Sequence, residues 1–154
     1  ALTIDRLASQ VRLTKGSFYH HFAGREDYSR ALLQYWADEL TQRIIEQSET
    51  RSDPRDKLRR LTSLTLGLAS ETEVAVRAWA LSDPLAREFV ERVDKQRRSY
   101  VERLVFDITG NRSRAKLVAR MIYAIFVGGG QMLPPQMRRE VREIYALLDP
   151  YMER

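Results

Sequence analysis

Leu13-Thr14-Lys15-Gly16-Ser17-Phe18-Tyr19-His20-His21-Phe22 directly follows Thr3-Ile4-Asp5-Arg6-Leu7-Ala8-Ser9-Gln10-Val11-Arg12. Ile4, Leu7, Ala8 and Val11 fall at i, i+3, i+4 and i+7, which predicts a short amphipathic helix with Thr3 as its N-cap. Thr14 is placed to cap a second short helix, on which Phe18 lies four residues before Phe22. Arg12-Leu13 is too short a link for the two helices to lie antiparallel, so they must cross steeply. Ala8 leaves room for that crossing, and Leu13, Phe18 and Phe22 then close a small core with Ile4, Leu7 and Val11. This is the logic of a helix-turn-helix, which offers its second helix to the DNA major groove.

Thr14, Lys15, Ser17, Tyr19 and His20, with His21 at the edge, remain for the outer face of that second helix. Hydroxyls, an ammonium and imidazoles suit phosphate oxygens and base edges, and Gly16 permits close backbone approach. Gly24-Arg25 opens the next helix, bringing N-terminal amides and a guanidinium together where a phosphate fits.

Helical punctuation continues along the chain. One long helix is expected over 25–48, with Leu32, Leu33, Trp36, Leu40, Ile44 and Ile45 on its apolar side. Asp53-Pro54 and Asp83-Pro84 each pair an N-cap with proline at the first helical position. Ser70-Glu71-Thr72-Glu73 has capping-box spacing and opens a segment through Ala80. Phe89, Val93, Tyr100, Leu104 and Val105 carry a stripe until Gly110 stops it. Further helices are expected over 113–127, broken by Gly128-Gly129-Gly130 and Pro134-Pro135, and over 136–148. The fold class is therefore all-α, with about eight helices. It divides into a helix-turn-helix domain at 1–27 and a helical ligand-binding and dimerisation domain at 28–154.

Composition excludes more than it selects. With no cysteine, disulfides and thiolate metal sites are ruled out. Adjacent His20 and His21 cannot face one ion from a regular helix, so no metal or other cofactor is expected. No apolar run approaches the roughly 20 residues that span a bilayer, so a cytoplasmic protein without a membrane partner is expected. A net charge of +5 permits nucleic-acid binding without requiring it. Arg outnumbers Lys 22 to 4, the usage of a GC-rich bacterial genome. The basic cluster Arg51, Arg55, Lys57, Arg59 and Arg60 is diluted by Asp53 and Asp56 and reads as a solvated face. The glycine triplet lacks the strand-loop-helix setting of a phosphate loop. No nucleophile, base and orienter stand together, so an enzyme is not expected.

The stretches Leu2-Thr3-Ile4-Asp5-Arg6-Leu7-Ala8, Leu13 to Phe22 and Arg25-Glu26-Asp27 closely resemble the DNA-binding domain of TetR-family regulators. That resemblance implies phosphate contacts by Tyr19 and His20, a groove-facing set in Thr14, Lys15 and Ser17, and backbone clamps in Thr3 and Arg25. It also implies a helix before Leu2, so the chain reads as N-terminally incomplete. Where the family usually has Gly in the turn this chain has Arg12; at positive φ that costs on the order of 1 kcal/mol. Val76-Arg77-Ala78-Trp79-Ala80, Asp83-Pro84, Val93-Asp94, Arg97-Arg98 and Tyr100 resemble, in layout, one large bacterial branch of these regulators.

The family layout implies a ligand cavity among the middle helices and a dimer made by the last two. Candidate cavity residues are Trp36, Leu40, Leu64, Leu68, Trp79, Phe89, Tyr100, Tyr123 and Phe126. The dimer is expected to use Val118, Met121, Ile122, Ile125, Val141, Ile144, Tyr145 and Leu148. The expected function is a ligand-responsive repressor: a homodimer on a near-palindromic double-stranded operator, released by a small-molecule inducer. The alternative, prompted by Arg12 and the missing helix, is a helical small-molecule-binding or interaction module that no longer reads DNA.

Overall fold

A computed structural model describes residues 15–66, 70–132 and 138–153, and among them all regular structure is helical. The first helix of the expected helix-turn-helix, with Thr3, Arg12 and Thr14, lies outside the described residues, as do Leu68 and Gln136. The chain divides into two compact units, Ala1–Trp36 and Ala37–Arg154. Within the first unit Tyr28 packs its ring on Phe18 and Phe22, at centroid distances of 5.6 and 5.1 Å.

Helix α1 (Lys15–His21) is followed by α2 (Arg25–Ala37), and helical hydrogen bonding continues through a π turn at Asp38–Gln42 into α3 (Arg43–Glu49). The sequence pattern predicts helix across all of this but not the π turn, in which Arg43 N–H donates to the Asp38 carbonyl. Such turns insert one residue into the α repeat and recur at functional sites.

The second unit contains α3, α4 (Pro54–Thr65), α5 (Ser70–Ala80), α6 (Pro84–Thr109), α7 (Arg112–Gln131), α8 (Arg138–Ala146) and a 3-10 turn at Asp149–Met152. Its helix starts follow from local chemistry. Asp53 accepts from the N–H groups of Arg55 and Asp56 at 2.9 and 3.1 Å, and Asp83 from that of Ala86 at 3.0 Å. Asn111 caps α7 through Arg114 N–H at 3.0 Å. Gly110 closes α6 at φ 67°, a left-handed conformation that glycine adopts without a Cβ clash. The core joins Tyr100, Leu104 and Val105 of α6 to Ala115, Val118 and Ile122 of α7, with Leu58, Leu148 and Met152 packed against them.

Two punctuation signals are corrected. Gly128-Gly129-Gly130 does not break α7, which runs on to Gln131. Glycine costs about 1 kcal/mol per helical position, and packing overrides that cost here, with Gly129 buried. Ser70 is already helical, and Glu73 is a buried residue, 9% exposed, whose carboxylate is taken up by two arginines.

Candidate functional site

On α1 the apolar and polar residues separate cleanly. Phe18 is 5% exposed and meets Phe22 at a ring-centroid distance of 5.3 Å, so Phe18, Phe22 and Tyr28 form a closed aromatic trio. Gly16, Tyr19 and His20, at i, i+3 and i+4, are all exposed, and Tyr19 is 56% exposed. Ser17 is half-buried, and His21 is exposed with its ring 5.1 Å from that of His20. Lys15 opens the helix. The turn after it is held by Ala23 N–H donating to Asp27 Oδ2 at 3.0 Å. Arg25 is the exposed first residue of α2. From Lys15 to Arg25 the sequence contains no carboxylate, and Asp27, just beyond, is engaged by the Ala23 N–H.

A second site lies within the Ala37–Arg154 unit. Arg97 of α6 donates from Nε to Thr41 Oγ1 at 2.8 Å, from NH2 to the Leu40 carbonyl at 3.1 Å and from NH1 to Glu73 at 2.8 Å. Glu73 also accepts from Arg77 Nε at 3.0 Å. Arg77 grips both oxygens of Asp94, at 2.7 and 3.2 Å, and donates to the Tyr123 hydroxyl at 2.9 Å. Tyr123 in turn donates to Asp94 at 2.5 Å. Burial alone lowers the Arg77 pKa, but the Asp94 hydrogen bond and the surrounding charges outweigh it and raise the value. Removing such charges from water is costly unless every partner is supplied, as it is here.

Against this cluster sits an interior cavity of about 50 Å³, walled by Leu40, Ile44, Ile45 and Leu61 with Arg97, Tyr100, Tyr123 and Phe126. It has room for water-sized occupants and is well below the 300–1,000 Å³ typical of a small-molecule pocket. Of the expected cavity residues, Leu40, Tyr100, Tyr123 and Phe126 line it. Trp36, Leu64, Trp79 and Phe89 do not: Trp36 and Phe89 are buried elsewhere, Leu64 and Trp79 half-buried.

Apolar periodicity overlooks Thr41, Glu73, Arg77, Asp94 and Arg97. A signal did exist. Arg97 lies on the stripe of Val93, Tyr100 and Leu104 at i+4, i+7 and i+11, and Glu73 shares a stripe with Val76 and Ala80. Opposite charges on two apolar stripes are the mark of a buried ion pair.

The expected dimer residues also divide. Val118, Ile122, Val141 and Leu148 are buried within the chain and are withdrawn as contact residues. Ile125, Ile144 and Tyr145 are half-buried, and Met121 is exposed. Exposed on α7 are Leu117, Met121, Ala124 and Gly128, at i, i+4, i+7 and i+11, a continuous apolar and small-residue stripe. Among the described residues no three His, Cys, Asp or Glu gather to hold a metal ion, and no helix is long and apolar enough to cross a membrane.

Compared with protein families, curated proteins and solved structures, the chain matches none.

Proposed function

We propose that the chain is a ligand-responsive DNA-binding regulator: a homodimer that represses from a near-palindromic operator and is released by a small molecule. The observation that carries this reading is the division of α1, with Phe18 turned into an aromatic trio and Gly16, Tyr19 and His20 left exposed on one face. A helix that buries its rings on one side and exposes hydrogen-bonding groups on the other suits insertion into a major groove. The sequence resemblance to TetR-family domains supports the same role. The α7 stripe at Leu117, Met121, Ala124 and Gly128 supports a second copy as partner, since small residues allow close helix approach and a two-fold axis makes such a stripe self-complementary.

Release requires the ligand to bind one arrangement of the dimer better than the other; tight binding alone shifts nothing. Selection of duplex DNA from a random pool, followed by salt titration of the winner, tests the reading. A retained palindrome with a steep salt slope is expected, and retention of no sequence above bulk DNA overturns it. The interior cavity lies wholly within the Ala37–Arg154 unit. A second reading, a helical small-molecule-binding or interaction module that no longer reads DNA, is separated by the same selection.

A further inference from the structure

Outside the interior cavity lies a larger cleft of about 640 Å³, formed by one face of α4, by α8 and by the turn that follows it. The two spaces share three wall residues: Thr62, Ile122 and Tyr145. Thr62 is held by its own helix, its hydroxyl donating to the Leu58 carbonyl at 3.0 Å, and Ile122 belongs to the core. Tyr145 is tied only by a long hydrogen bond from its hydroxyl to the Ile122 carbonyl at 3.3 Å, among its described polar contacts. A bond of that length is near the limit of useful geometry, and the rest of the ring's hold is packing against the core.

Charge in the cleft is uneven. Arg55 donates to the Met152 carbonyl at 2.8 Å, and Arg59 pairs with Asp56 and feels the charge of Asp149. The cleft lining thus holds two carboxylates, Asp149 and Glu153, beside Arg55 and Arg59. Arg142 stands on α8, before the helix end at Ala146 that separates it from Asp149, and makes no hydrogen bond or ion pair with any described residue. It stands three residues before Tyr145, on the same face of α8, with Ser63 and Leu66 among the residues opposite. Arg142 is exposed, and the apolar residues Leu40, Ile44, Ile45 and Phe126 line the chamber that shares the Tyr145 wall.

We infer that cleft and cavity are two ends of one binding site, divided by the Tyr145 ring, for a small anion with an apolar chain. The anionic head sits against Arg142 and Ser63. The chain displaces the Tyr145 ring and takes the space the ring vacates together with the inner chamber, whose volume of about 50 Å³ is by itself too small for it. This gives the ligand of the proposed regulator a chemical class and rests on that reading only for its biological meaning.

The test is calorimetric titration of the full chain, free of DNA, with octanoate, 1-octanol and octylamine at neutral pH. Octanoate is expected to saturate one site at least about tenfold more tightly than octylamine, the size of one charge-assisted hydrogen bond. Arg142→Gln should remove that advantage while leaving 1-octanol unchanged. Tyr145→Phe, which keeps the ring but loses its bond to Ile122, should tighten octanoate. Octylamine binding as well as octanoate, an Arg142→Gln variant with unaltered selectivity, or no saturable binding of any probe overturns the inference. DNA retention without octanoate binding sinks this inference alone. Octanoate binding without DNA retention sinks the regulator and leaves the site standing.

Discussion

Arg97 and Thr41 are joined by a 2.8 Å hydrogen bond from the guanidinium Nε to the threonine Oγ1, which fastens α6 to the π turn. Thr41 is buried, and both residues stand on the wall of the cavity. Thr41→Val keeps the shape and leaves that N–H without an acceptor. The expected cost is about 1–3 kcal/mol, the penalty of one unsatisfied buried donor. Thr41→Ser, which retains the hydroxyl, should cost less. Urea unfolding of the three proteins distinguishes them, and equal midpoints for valine and threonine would show that the bond contributes nothing.

Tyr123 gives a pH signature. Burial first, then its hydrogen bond to Asp94, push its pKa up to about 12, against the opposing pull of the nearby arginines. A tyrosine with a raised folded pKa favours the folded state fully below the unfolded value, near 10. That contribution is lost as pH climbs from there through about 12. Stability should therefore fall across that alkaline window, and fall less in Tyr123→Phe. Absorbance titration of phenolate should show one late-ionising tyrosine fewer in the variant.

On α1, Tyr19→Phe should leave the fold intact, because the side chain is largely exposed. It should weaken binding to all duplexes alike and barely change the salt slope. Lys15→Ala should lower that slope by about one ion if the ammonium pairs with phosphate. Phe18→Ala, by contrast, empties the aromatic trio at a cost of about 3–5 kcal/mol. Anisotropy titrations at several salt concentrations separate the three, and full-affinity binding by both surface variants would remove the helix-turn-helix assignment.

Leu117→Glu with Met121→Glu should give folded monomers, since both side chains stand on the exposed stripe of α7. Ile122→Glu should unfold the chain, because Ile122 is 9% exposed and packed in the core. Sedimentation and circular dichroism together read the two effects. A dimer that survives the double substitution would place the partner elsewhere.

Local chemistry determined where helices begin and stop. Asp53-Pro54, Asp83-Pro84 and Gly110 act through their own backbone neighbours, so their spacing in the chain is enough to read them. Phe18 beside Tyr19 was legible for the same reason, since helical repeat alone sends one inward and the other out. The glycine triplet was misleading because helix propensity is worth only about 1 kcal/mol per residue, which burial of one face of α7 overcomes. Nothing local distinguishes Glu73 as a helix cap from Glu73 as the shared acceptor of Arg77 and Arg97; only the packing of α5 on α6 selects the second. The same holds for Ile122 and Met121, neighbours in sequence and equally apolar, of which one is core and the other surface. Periodicity shows that a helix has an apolar face, but which residues at its margins meet a neighbour depends on where that neighbour lies. The cavity is further from the sequence still, since its volume is the space left over after side chains from six separate elements have packed.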